Sequence, residues 1–276
     1  MYRIVSKRQL NPAVSWMEIE APFIAKKVKA GQFVILRVNE HGERIPLTVA
    51  DHDEQRGTIT VIFQKVGKTT LLLDTLEVGD GILDVVGPLG RATEIDGVKR
   101  VAVIGGGVGC AIAYPEAKAF FENGAHVDMI VGFRNREMVM LEDDFRAVSS
   151  DLFVMTDDGS YGEQGFVTAK LQQLLDAGNA YDLVMAIGPL PMMRAVANVT
   201  KEKRIHTVVS MNPIMVDGTG MCGGCRLTVG GEVKFACVDG PEFDAHLIDW
   251  DEAMHRLNQY KEEEHACRLK QQGKAE

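Results

Sequence analysis

Cys222, Cys225 and Cys237 lie in the stretch MVDGTGMCGGCRLTVGGEVKFACVDG, residues 215–240, together with seven glycines. Three thiolates at this spacing suit a soft metal, either a structural zinc with tetrahedral ligands or an iron–sulfur cluster. Either needs a fourth ligand. Cys110 and Cys267, the other two of the five cysteines, read as ordinary thiols. An odd number of cysteines with three clustered does not describe a disulfide framework, and in a reducing compartment a cluster of this kind is more often a metal site.

A second chemistry is written in Gly105-Gly106-Gly107-Val108-Gly109, which follows an apolar run and opens a helical pattern. Glycines there let a pyrophosphate approach the backbone, and the helix start offers N–H donors and a positive dipole end. The loop departs from a strict G-x-G-x-x-G and alone could be a tight strand–helix turn. Val131-Gly132-Phe133-Arg134-Asn135, Asp157-Asp158-Gly159-Ser160 and Gly188-Pro189 also end strand-like runs, at the edge where open α/β sheets bind ligands. A third candidate is Glu43-Arg44-Ile45-Pro46-Leu47-Thr48, whose alternation puts Arg44, Pro46 and Thr48 on one face. Arg44 could pair with a phosphate or be a plain surface arginine. Val66-Gly67-Lys68-Thr69-Thr70 offers another possible anion site.

Two architectures must position these groups. Residues 1–96 read as closely spaced short strands rich in Val, Ile, Thr and Phe, the pattern of a small antiparallel barrel, with one helix-like interruption at LLLDTLEVGD. From 97 to 210 strands alternate with helices, which implies a Rossmann-like parallel sheet. Residues 211–250 hold the cysteines, and 251–276 read as a polar helical tail. The 276 residues suffice for two domains and a small appendix; 46% hydrophobic and 25% charged residues describe a globular chain. A net charge of −9 argues against nucleic acid or an anionic membrane as partner. No apolar run approaches a spanning helix, and the start carries no signal-peptide pattern, so the chain is expected in the cytoplasm.

In this order the motifs resemble the ferredoxin–NADP reductase superfamily. GPLGRATEI, GGGVGCAIAYP, TDDGSYGEQGFVT, GPLPMMR and the cysteine stretch are closest to one branch. That branch holds the electron-transfer subunits of dihydroorotate dehydrogenase B and sulfide dehydrogenase and the small subunit of NADH-dependent reduced-ferredoxin:NADP+ oxidoreductase. The resemblance covers residues 1 to about 250. It implies FAD along the barrel at Arg44, Pro46, Leu47 and Thr48, with its pyrophosphate near Gly67, Lys68, Thr69 and Thr70. It implies NAD(H) at Gly106, Gly107, Val108, Gly109, Arg134, Asp157 and Gly188. Pro46-Leu47 is a departure, since many plant-type reductases carry a tyrosine just before the hydroxyl residue.

Against the plant-type [2Fe–2S] spacing C-x4-C-x2-C, Cys222 and Cys225 take the second and third positions and Cys237 the fourth. The first falls on Asp217. The dihydroorotate branch has cysteine at the matching place, whereas the small subunit of the reduced-ferredoxin enzyme has aspartate, so the resemblance implies Asp217 as an oxygen ligand. Zinc and a vestigial site remain the alternatives. The implied function is a relay from NADH through FAD to a [2Fe–2S] cluster, with no catalytic acid–base pair. A larger subunit with flavin and 4Fe–4S centres would complete an electron-bifurcating reaction. A sulfide or dihydroorotate dehydrogenase subunit and a non-catalytic regulatory subunit are the rival readings.

Overall fold

The computed structural model describes residues 1–264 and 266. The alternating runs of the first ninety residues form β1 (Tyr2–Asn11), β2 (Val14–Glu20), β3 (Phe33–Arg37), β4 (Ile45–Asp53), β5 (Thr58–Gln64), β6 (Gly81–Ile82) and β7 (Asp84–Leu89). Two short helices, α1 (Pro22–Ala25) and α2 (Lys68–Asp74), interrupt them. All pairs are antiparallel, in the order β6-β1-β2-β5-β4-β3-β7. The two edge strands follow one another in the chain, so the sheet curls into a nearly closed barrel. Its inward side chains, among them Ile4, Met17, Ile19, Leu36, Ile59 and Phe63, are buried in a single cluster with Leu73 of α2.

The period then changes. β8 (Arg100–Gly106), α3 (Gly109–Glu122), β9 (His126–Phe133), α4 (Glu142–Ala147), β10 (Asp151–Thr156), β11 (Glu163–Gln164), α5 (Val167–Asp176), β12 (Leu183–Ile187), α6 (Leu190–Lys203) and β13 (Thr207–Ser210) follow in order. Val101, Ala102, Val103 and Ile104 of β8 are all fully buried, as a central parallel strand covered on both faces must be. The sheet runs β11-β10-β9-β8-β12-β13 in parallel. After β8 the chain builds outward through β9 and β10, then returns to the other side of β8 with β12, so the topological switch point lies between β8 and β12.

The cysteine segment is built on β14 (Arg226–Val229) and β15 (Glu232–Phe235), a hairpin turned by Gly230 and Gly231, both at positive φ as a two-residue hairpin turn requires. The chain then gives one strand back to the parallel sheet. β16 (Glu242–Asp244) pairs antiparallel with β13 through Val208↔Asp244, Val209↔Phe243 and Ser210↔Glu242. α7 (Trp250–Leu257) follows, capped by Asp249, whose side chain accepts the Glu252 N–H at 2.9 Å. Residues 261–264 are again helical, and Cys267 lies outside the described residues. Among the described residues no helix is long and apolar enough to cross a membrane.

The barrel, α3 and β16 meet at two carboxyl groups, the buried Glu116 and the half-buried Glu242. Glu242 accepts the Thr93 hydroxyl at 2.7 Å, and Glu116 of α3 is 1% exposed. Burial, and then the Glu242 charge, hold the Glu116 carboxyl well above the usual range; burial raises that of Glu242 to about 7. An unfolded chain ionises such groups at roughly pH 4.3. Their contribution to stability is therefore full below that pH and is lost as pH rises toward 7. Glu116→Gln should gain thermal stability over the parent on going from pH 5 to pH 8; an equal parent–variant difference at both pH values refutes this.

Candidate functional site

β4 pairs with β3 from Ile45 onward but with β5 only from Val49. The stretch 45–48 is thus a one-sided ladder, which tolerates Pro46 and leaves its other side open. That opening faces the C-terminal ends of β8, β9 and β12 across one cleft of about 960 Å³. This is at the upper end for small-molecule sites, roughly 300–1,000 Å³. Pro46, Leu47, Thr48 and Thr70 line it from the barrel; Gly106, Gly107, Val108, Gly109, Arg134, Asp157 and Gly188 line it from the sheet.

Glycine is needed where α3 begins. A Cβ on Gly109 would press into the carbonyl oxygen of Ile187 and lie 2.8 Å from Gly188 Cα. Gly107 has φ +59, and its N–H donates to the Gly132 carbonyl at 2.8 Å, tying the loop to β9. The first turn of α3 is thereby aimed into the cleft at the switch point, where its N–H groups and dipole favour a phosphate. Arg134 and Asp157, both exposed, stand at the ends of β9 and β10, joined by the Asp157 N–H to the Phe133 carbonyl at 3.0 Å.

Arg44, Gly67, Lys68 and Thr69 do not line the cleft, and the side chains of Arg44, Thr69 and Thr70 are held by other partners. Thr70 Oγ1 accepts the N–H groups of Val66 and Gly67 at 3.1 Å each and donates to the Gly67 carbonyl, which closes the start of α2. Thr69 is buried and donates to Glu43 at 3.1 Å; Lys68 begins α2, and Gly67 caps it. Arg44 turns to the cysteine segment. Its Nε donates to the Val216 carbonyl at 2.7 Å and its Nη2 to that of Asp217 at 3.3 Å. Of its five N–H donors these use two.

Several lining residues carried no sequence signal. Asn11, at the end of β1, crosses to the sheet domain, where its Nδ2 donates to the Met138 carbonyl at 3.0 Å. Met192 packs against Gly106 and Gly188, and Phe166, 67% exposed, stands at the start of α5.

In the cysteine segment Cys225 and Cys237 are buried with sulfurs 3.2 Å apart, and Cys222 is exposed. None of the described cysteines is in a disulfide. Cys222 Sγ accepts the Gly224 N–H at 3.5 Å. The Asp217 carboxylate accepts the N–H groups of Thr219 (2.9 Å), Met221 (3.1 Å) and Cys222 (2.8 Å). These bonds, that of Thr219 above all, hold it below the usual carboxylate range, and the Cys222 thiol also reaches it. Asp217 is therefore ionised and caps its own turn. A carboxylate has about four lone-pair sites, so three backbone bonds leave room for a metal. Three thiols, one carboxylate and N–H groups aimed at sulfur form a donor set that fits an iron–sulfur centre. His126, Asp128 and Asp151 bring their ligand atoms within 4.8 Å of one another at the far edge of the sheet, where Asp128 already accepts from Arg100 and Tyr181.

A family model described as the iron–sulfur cluster binding domain of dihydroorotate dehydrogenase B matches residues 212–249. The chain is 46% identical to the dihydroorotate dehydrogenase B (NAD(+)) electron transfer subunit homolog of Thermotoga maritima, covering 95% of this chain and 92% of that one. It is 32% identical to the dihydroorotate dehydrogenase B (NAD(+)) electron transfer subunit of Geobacillus thermodenitrificans, over 88% and 95% of the two chains. A solved structure of NADH-dependent reduced ferredoxin–NADP oxidoreductase, described for its insights into flavin-based electron bifurcation, superposes with a TM-score of 0.92. Its identity is 44%, over 98% of this chain and 97% of the other.

Proposed function

This chain belongs to the family of dihydroorotate dehydrogenase B electron-transfer subunits and their homologues, and from that premise we propose that it is the NADH-oxidising electron-transfer subunit of a ferredoxin:NADP+ oxidoreductase of the electron-bifurcating kind. The observation that carries this reading is spatial. One cleft joins the open side of the barrel strand to the α3 start, and the thiol loop is bonded to the arginine that precedes that same strand. The near full-length likeness to the NADH-dependent reduced ferredoxin–NADP enzyme favours it over a dihydroorotate or sulfide partner.

The sites divide as follows. FAD is held by Pro46, Leu47, Thr48 and Thr70, with Arg44, Gly67, Lys68 and Thr69 toward its phosphates. NAD(H) is held by Gly106, Gly107, Val108 and Gly109 at the α3 start, with Arg134, Asp157 and Gly188. Asp217, Cys222, Cys225 and Cys237 hold a [2Fe–2S] cluster. Residues 1–96, 97–210 and 211–250 are the three corresponding units. A bound FAD would supply the hydride-accepting and one-electron chemistry that links NADH to the cluster, and this chemistry belongs to the cofactors. The chain's own work is to orient. The α3 dipole and N–H groups fix the dinucleotide phosphates, the open side of β4 offers a flat apolar edge with one hydroxyl, and the glycine loop presents N–H groups to sulfur. No side chain has to move a proton.

The family's electron-transfer subunits work with a partner subunit; here that partner is a larger chain with its own flavin and 4Fe–4S centres, and the complex is cytoplasmic, in keeping with the free thiols. NADH should reduce the bound flavin faster than NADPH in a stopped-flow comparison. Faster reduction by NADPH would overturn the assignment of this chain to the NAD(H) side.

A further inference from the structure

Arg44 is bonded to residues 172 and 173 positions further along the chain. Its guanidinium spans two successive carbonyls, Val216 at 2.7 Å and Asp217 at 3.3 Å. The next residue, Gly218, sits at φ +78 against the barrel, where a Cβ would lie 2.7 Å from the Cδ1 atoms of Ile35 and Leu89. Asp217 is thus fixed at both ends: its carbonyl by the barrel's arginine, its carboxylate by the N–H groups of Thr219, Met221 and Cys222. Beyond the thiols the segment is tied down again. Arg91 Nε donates to the Val238 carbonyl at 3.2 Å, and the Arg91 N–H donates to that of Gly240 at 2.7 Å.

We propose that Arg44 is a positioning residue for the metal loop. It holds the Val216–Asp217 backbone so that the Asp217 carboxylate stands beside the thiols of Cys222 and Cys237. Because it precedes the strand that lines the flavin side of the cleft, it also fixes the spacing between the two cofactor sites. A lysine could not do the same, since a point charge on a flexible stem lacks the planar fork that bridges two carbonyls. The proposal rests on the reading of Asp217, Cys222, Cys225 and Cys237 as a [2Fe–2S] site, and goes beyond a phosphate contact for Arg44.

The test uses the full chain loaded with FAD, ferrous iron and sulfide, as parent, Arg44→Met and Arg44→Lys. Iron and FAD stoichiometry, the electron paramagnetic resonance spectrum of the reduced cluster and its midpoint potential are read in each. Loss of an outer-shell contact costs on the order of 10–100-fold in metal affinity. Arg44→Met should therefore retain iron at least about tenfold more weakly against a chelator and show an altered spectrum and potential, with Arg44→Lys between it and the parent. Excess FAD should refill the flavin site of Arg44→Met without restoring the parent spectrum. The proposal is overturned if Arg44→Met keeps the parent's iron, spectrum and potential, or if excess FAD alone restores them. If Arg44→Met does not fold, Arg44→Lys decides, and parent-like values there overturn it. A parent that takes up no iron and sulfide fails the underlying cluster reading instead, and the proposal falls with it.

Discussion

Cys237→Ser should strip this chain of its iron while leaving flavin and NADH-driven flavin reduction in place. Cys225 and Cys237 are 2% and 1% exposed, and their sulfurs are 3.2 Å apart. A serine oxygen at either place is a poor ligand for iron, and no other described cysteine can reach in, since Cys110 is buried against Gly105 and Gly132. We expect at least about a tenfold loss of iron and of acid-labile sulfide, by analogy with removing a ligand's supporting contact, which alone costs 10–100-fold. Asp217 separates ligand from turn cap. Asp217→Cys loses the three backbone bonds but offers a fourth thiolate; it should keep the cluster with a changed spectrum and midpoint potential. Asp217→Ala removes both roles and should lose the cluster. Zinc without sulfide in the parent, or parent-like spectra in both Asp217 variants, would sink the ligand assignment.

Gly109→Ala should raise the KM for NADH by about tenfold or more and lower stability by roughly 1–3 kcal/mol, the usual cost of forcing a methyl into a packed place. The added Cβ meets main chain, the Ile187 carbonyl and Gly188 Cα, and neither can rotate away as a side chain could. The start of α3 must then move off β12, and with it the N–H groups that face the dinucleotide phosphates. The barrel and the thiol loop do not depend on that contact, so FAD content and cluster content should stay at parent levels. Steady-state kinetics with a dye acceptor, together with a thermal melt, check both halves. An unchanged KM would show that the helix start is not the phosphate site.

Much of this was legible in the sequence because the physics is local. Alternation over five to ten residues fixed the barrel strands, and the change to a strand–helix period fixed the parallel sheet. Pro46, Leu47 and Thr48 and the glycine loop border one cleft. What stayed hidden was short or distant. α1, β11 and β16 are four, two and three residues long, too short to display a period, and tertiary pairing alone makes them. The bond from Arg44 to Val216 joins residues 172 apart, and no local pattern announces it. Thr69 and Thr70 looked like anion donors, yet their hydroxyls first satisfy Glu43 and the α2 start, since an unpaired polar group so placed is costly. Glu116 and Glu242 lie on different elements, and only packing reveals that they share one interior.

The position of β16 has a consequence for how the protein is made. The strand that covers the open side of β13 is encoded after all three clustered cysteines. During synthesis β13 is therefore left as a bare edge of the parallel sheet until residue 244 has emerged from the ribosome. An uncovered strand edge is a template for pairing with another chain. A copy that stalls or is cut within the glycine loop keeps that edge permanently, so truncated nascent chains of this protein should be the ones that self-associate and draw chaperones.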